Sequence, residues 1–174
     1  MSYTPIILPY NGVKPDIHPD AYVAPGAVVI GNVTIGKDSN IWFNCVLRGD
    51  VNHITIGERT NIQDGTVVHV TRKTHPTVIG SDITVGHKAL LHGCTLEDGC
   101  FFGMGATAMD GAVVGEGAML AAGALLTPNK RIPEGQLWAG NPAKYFRDLK
   151  AEEKAFFPES IKNYVELSKE YMNS

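Results

Sequence analysis

The chain is short of cysteine, of blocks of like charge and of long apolar runs, and each shortage removes a class of function. Its three cysteines, Cys45, Cys94 and Cys100, are an odd number with no CxxC pair among them. A disulfide framework and a cysteine-rich zinc site are therefore not expected, and the thiols read as reduced. The 15 Lys and Arg are interspersed with 18 Asp and Glu for a net charge of -3, which leaves no basic stripe for nucleic acid or an anionic membrane surface. Neither partner is expected. No apolar run reaches the ~18 residues of a membrane span, and the opening MSYTPIILPY lacks the basic start and small-residue cleavage pattern of a signal peptide. The expected compartment is the cytoplasm. At 174 residues, 44% of them hydrophobic, the chain can bury one real core, so a single domain over 1–174 is expected.

What is present is a period. Aliphatic residues recur every six positions, as at Ile17, Val23, Val29, Ile35, Ile41 and Leu47, and again from Leu96 through Phe102, Ala108, Val114, Leu120 and Leu126 to Ile132. Four places after each comes a second, mostly small series that includes Ala27, Cys45, Thr66, Ala89, Cys100, Ala106 and Ala124. Glycine often follows the bulky residue, as at Gly36, Gly57, Gly80, Gly86, Gly103 and Gly115. Such a pattern fits neither a 3.6-residue helix nor simple alternation; it fits short strands broken by regular corners. Cys45 and Cys100 fall in small inward positions and read as packed core thiols, whereas Cys94 lies outside that series.

This pattern resembles the hexapeptide-repeat proteins, and the resemblance covers about 15–135. It implies a mainly β fold: a left-handed parallel β-helix of hexapeptide repeats, three hexads per turn, with a C-terminal α-helix. The period breaks between Leu47 and Ile56, between Val68 and Ile79, and between Leu91 and Leu96. Surplus residues there are expected to loop out of the coil, where sites tend to be built. Over about 149–172 the period turns helical, with Phe157, Ile161, Tyr164, Val165, Ser168, Tyr171 and Met172 on one face. About fifteen residues of amphipathic helix are expected to pack back along a β-helix, its own or a neighbour's, with Pro158 in the first turn.

The repeat phase also places the histidines. Leu47, Val68 and Leu91 fall on the same side of successive turns, so the residues after them, Arg48, His69 and His92, stack. With turns ~4.8 Å apart, His69 and His92 can both reach one metal ion at ~2 Å. His87, two places past Val85, lies on the preceding side, stacked over Asp64. A corner separates it from His92, so the ligand set is most simply completed by His87 of an adjacent subunit. A homotrimer with metal sites at its interfaces follows.

At this point the chain resembles the γ-class carbonic anhydrases. The match is carried by RGD at Arg48 to Asp50, NIQD at Asn61 to Asp64, His69, and GHxxxxH at His87 and His92. The resemblance implies zinc, or iron(II) as in some members, held by His69, His87 and His92, with two ligands from one chain and one from its neighbour. It implies reversible hydration of CO2 to bicarbonate by the hydroxide that the metal carries. Gln63 would orient hydroxide or substrate, Asn61 would shape the pocket, and Tyr164 would approach from the helix. Arg48, Asp50 and Asp64 would form a supporting charge network at the interface.

Two family glutamates have no counterpart, because the matching stretches read VNH and VTRK. His53 and His75, both in or near the inserted loops, are the candidates for a proton shuttle. Other functions stay open: a metal-dependent thioesterase, a coenzyme A-dependent acyltransferase of the hexapeptide class, or a catalytically silent trimeric scaffold. Acyltransferases of this class usually employ one histidine as base without metal, so three convergent histidines count against them.

Overall fold

Each six-residue repeat lays down a two-residue strand and a corner, and the strands of successive coils stack in parallel register. The computed structural model describes residues 4–174. The protein is mainly β, a left-handed parallel β-helix closed by one C-terminal helix. One flat side runs from Tyr22–Val23 through Asn40–Ile41, Asn61–Ile62, Thr84–Val85 and Phe101–Phe102 to Met119–Leu120, and ends in an antiparallel pair, Gln136–Ala139 with Lys144–Asp148. The other two sides merge into one twelve-stranded sheet, because Val28–Ile35 and Val46–Ile56 run unbroken around a corner.

The bulky series fills the triangular interior. Ile41, Ile62, Val85, Phe102 and Leu120, one above another on a single side, are fully buried. The small series turns the corners, and its hydroxyls satisfy corner backbone: Ser39 Oγ donates to Gly57 O at 2.7 Å and accepts from Thr60 N–H at 2.9 Å. Glycine after the bulky residue has a steric cause. A Cβ at Gly36 would lie 2.5 Å from Gly57 O of the next coil, and one at Gly103 would overlap the Ala122 backbone.

All three cysteines are buried thiols. Burial pushes Cys45 up to about 11 and Cys94 up to about 12, and raises Cys100 as well, so none is poised as a nucleophile. Cys94 belongs to the same core: the coil is one residue short there, and the tight turn at Gly93, with φ +61°, leaves Cys94 pointing inward.

Two expectations are corrected by the structure. Residues 50–53 do not loop out; they are absorbed into the strand Val46–Ile56 as a bulge, the register stepping from Gly31↔Gly49 to Val33↔Ile54. Only the second insertion projects, as a small turn bridged by Thr71 and His75. The helix is Ala151–Met172, 22 residues long, and Pro158 sits inside it rather than in its first turn. Its start is set upstream: Glu153 accepts from Lys150 N–H at 2.9 Å and is gripped by Arg147 at 2.7 and 2.8 Å. Proline there forgoes one helical hydrogen bond, on a helix already held by its packing.

That helix lies on its own chain's flat side. Phe157 stacks on Phe101 at 5.0 Å, Ser160 Oγ meets Thr84 Oγ1 at 3.1 Å, and Tyr164 and Tyr171 pack edge-on against Trp42. Among the described residues no helix is long and apolar enough to cross a membrane.

Candidate metal centre

The strands Val67–His69 and Leu90–His92 pair in register, placing His92 beside His69 at the end of one side. The two rings face each other, with His69 Nδ1 and His92 Nε2 3.1 Å apart. Each ring's other nitrogen meets a carboxylate: His69 Nε2 lies 3.0 Å from Asp50 Oδ1, and His92 Nδ1 lies 2.7 Å from Asp110 Oδ1. The result is a ladder along the coil axis, Asp50, His69, His92, Asp110, with one residue from each of four successive turns.

Both carboxylates are held in their charged form. Burial opposes ionisation of Asp50, but hydrogen bonds from His69 and Arg48 and their charges outweigh it, so its pKa falls below the ordinary value. Asp110 is lowered in the same way, burial being outweighed by hydrogen bonds from Thr71 and His92 and by the charges of His92 and His75. An ionised carboxylate accepts and cannot donate, so the protons of the neutral imidazoles sit on His69 Nε2 and His92 Nδ1. The facing nitrogens then both present lone pairs. At 3.1 Å those lone pairs repel unless the two nitrogens share a proton or a metal ion.

The spacing suits a metal ion. Tetrahedral coordination at the usual Zn–N distance of 2.0–2.1 Å separates two ligand nitrogens by about 3.3 Å, within a few tenths of an ångström of the separation here. Two ligands do not close a site, and among the described residues no group of three His, Cys, Asp or Glu side chains converges within one chain. His87 stands on the preceding corner, over Asp64 as its phase predicts, with Nδ1 2.9 Å from Asp64 Oδ2 and more than a third of its side chain exposed.

Gln63 and Asn61 lie beside that corner, buried. Asn61 Nδ2 donates to Ile83 O at 3.3 Å and Thr84 Oγ1 at 2.9 Å, which turns its Oδ1 toward Gln63 Nε2 at 3.0 Å. This chain orients the Gln63 amide, whose Oε1 is a buried acceptor with no partner among the described residues. Tyr164 belongs to the His87 end: its hydroxyl is pushed above its ordinary pKa by burial and then by the charge of Asp64.

Comparison with known proteins follows this geometry. A profile for the bacterial transferase hexapeptide family (six repeats) matches residues 6–49. A Methanocaldococcus jannaschii protein named as a probable carbonic anhydrase is 51% identical, over 84% of this chain and 91% of its own. The chain belongs to the γ-class carbonic anhydrase family. Gamma carbonic anhydrase 2 of Arabidopsis thaliana, a mitochondrial protein by name, is 54% identical over 89% of this chain, which spans 58% of that relative's length. A solved hexapeptide transferase family protein from Anaplasma phagocytophilum superposes with a TM-score of 0.92 at 49% identity, covering 95% of this chain and 98% of its own.

Within this γ-class carbonic anhydrase family member, the two shuttle candidates part company. His75 Nδ1 lies 4.0 Å from Asp110 Oδ2, beside the ladder. The His53 ring, on the strand Val46–Ile56, has no hydrogen bond to the site residues among those described. Sequence reasoning passed over Asp110. Its signal was available, since Leu91 pairs with Ala108 and the next residues up the coil therefore stand beside His92 and Gly93.

Proposed function

We propose that this chain is a metal-dependent carbonic anhydrase that interconverts CO2 and bicarbonate at sites completed between the subunits of a homotrimer. The observation that carries the proposal is the pair of carboxylate-backed imidazoles, His69 and His92, whose lone pairs face each other at 3.1 Å. His69 and His92 of one subunit and His87 of its neighbour would hold Zn2+, or Fe2+. Asp64 occupies Nδ1 of His87, so the nitrogen left for coordination is Nε2. A divalent ion with three neutral imidazoles and an open position brings the pKa of a coordinated water to about 7 and so supplies a nucleophile for CO2 at neutral pH.

The chain's own residues do the rest. Gln63 Oε1, oriented through the Nε2 hydrogen bond to Asn61, would accept from the O–H of the reacting water and so turn its lone pair toward substrate. Tyr164, packed edge-on against Trp42 and near enough to Asp64 to feel its charge, would stand on the His87 side of the site. One proton per hydration must leave, and His75, beside Asp110 and more than a third exposed, would pass it to solvent. Val67 and Leu90, half-exposed aliphatics just before the two ligands' positions on the same side, support burial of this face against a second copy. Three unpaired buried thiols support a reducing compartment, the cytoplasm in the simplest case.

The deciding experiment is stopped-flow CO2 hydration on purified protein loaded with zinc and, anaerobically, with iron(II), with His92→Ala as control. Activity that the variant loses supports the proposal; no activity with either metal overturns it. Acyl or thioester chemistry is the second reading, favoured by the hexapeptide transferase family name of the Anaplasma structure. Turnover of acetyl-coenzyme A that survives metal removal would select it.

A further inference from the structure

We infer that Asp110, gripped by the Thr71 hydroxyl of the projecting 70–76 turn, is the positioning residue that sets the tautomer and rotation of His92 for metal binding. The inference rests on the metal reading above. Both carboxylate oxygens of Asp110 are committed to side chains, Oδ1 to His92 Nδ1 at 2.7 Å and Oδ2 to Thr71 Oγ1 at 2.7 Å. A carboxylate that merely finishes a corner looks different. Asp98, at a corner nearby, accepts from the backbone N–H of Ser81 at 2.8 Å and touches no histidine.

The backbone is shaped to admit this contact. Gly93 follows His92, and a Cβ there would overlap Asp110 Oδ1 and come within 2.8 Å of His75 Cβ. Gly111 N–H donates to Gly93 O at 2.7 Å, which fixes the coil bearing Asp110 against the coil bearing His92, and Asn129 N–H donates to Asp110 O at 3.0 Å from the coil beyond. Thr71 reaches Asp110 only because the second insertion projects and folds over this end of the ladder. Thr77 ties the base of the same turn to both ligand strands: its hydroxyl donates to His69 O at 2.5 Å and accepts from Gly93 N–H at 2.9 Å. The second insertion is thus a brace for the second ligand.

The chemical consequence is specific. With Nδ1–H of His92 donated to an anion, Nε2 must carry the lone pair, and the ring cannot rotate away without breaking a charge-assisted hydrogen bond. Substituting an amide removes that charge and allows the opposite tautomer. A lost partner of this kind commonly lowers metal affinity by about 10- to 100-fold.

The test measures metal affinity directly, by competition of Zn2+ between the purified, metal-stripped protein and a chromophoric chelator. The visible absorption of the Co2+-loaded protein is recorded alongside. Asp110→Asn is expected to weaken Zn2+ binding about 10- to 100-fold and to alter the Co2+ bands, Thr71→Val to act in the same direction more weakly, and Asp98→Asn to match the unaltered protein. Wild-type affinity and spectrum in Asp110→Asn overturn the inference while leaving the metal reading intact. Should Asp110→Asn fail to fold, Thr71→Val decides: unchanged affinity and spectrum overturn it. Failure of the unaltered protein to bind Zn2+ or Co2+ removes the metal reading itself, and this inference with it.

Discussion

His69 Nδ1 and His92 Nε2 point at one another across adjacent coils at 3.1 Å, each ring anchored from behind by a carboxylate. Such an arrangement suits a proton or a metal ion shared between the two nitrogens. In the proposed site the third ligand, His87, stands on another corner, which would make the site a property of assembly.

Subunit mixing should reveal that sharing. His87→Ala and His92→Ala chains are each expected to form trimers with no intact site. In a mixed trimer, an interface that joins the unaltered His69 and His92 of one chain to the unaltered His87 of the other is whole again. Co-expression of the two variants should therefore restore part of the zinc content, measured by elemental analysis of the purified mixture. Zinc no higher than in either variant alone would place His87 outside the site.

Gln63 separates fold from rate. Its Oε1 has no partner among the described residues, so removing that buried unpaired acceptor offsets the loss of the Nε2 hydrogen bond to Asn61, and Gln63→Leu should change unfolding free energy by no more than about 1 kcal/mol. If the same oxygen orients the reacting water, kcat/KM for CO2 should fall roughly tenfold or more. Chemical denaturation and stopped-flow hydration on one preparation test both halves.

The two shuttle candidates should differ. His75 lies beside Asp110, while the ring of His53 has no hydrogen bond to the ladder among the described residues, its backbone N–H alone donating to Asn52 Oδ1. His75→Ala is expected to slow turnover by about tenfold or more in weak buffer, with recovery on adding imidazole, and His53→Ala to leave it unchanged. The opposite pattern would move the proton exit to the bulged strand.

The helix start supplies a pH signature. Hydrogen bonds from Arg147 and the Lys150 N–H hold Glu153 down to about 2, against an ordinary 4.5. A pKa lowered by folding adds stability that is complete above the unfolded value and disappears as pH falls through the folded one. The gap in Tm between the unaltered protein and Glu153→Gln should accordingly be constant near neutral pH and close between about pH 4.5 and 2. It should be a small gap, because the pair is partly solvent-exposed.

Much of this was legible in the residues alone. The six-residue phase put Val68 beside Leu91, and hence His69 beside His92, and put His87 over Asp64; the structure pairs them so. The bulge at residues 50–53 was not legible, because surplus residues can either leave a coil or extend its strands around a corner, and only the partner strand Val28–Ile35 favours the second. Pro158 misled in the same way. A proline is a good marker of a helix start by local preference, but the Arg147–Glu153 clamp lies upstream of it.

The repeat by itself indicated short strands broken by regular corners, and its resemblance to the hexapeptide-repeat proteins implied the three-sided coil whose phase puts His69 and His92 on one edge. Which nitrogen of each histidine faces the site was decided by tertiary structure alone. A ring's tautomer depends on what accepts its proton, and the acceptors here, Asp50 for His69 and Asp110 for His92, arrive from neighbouring coils 19 and 18 residues away.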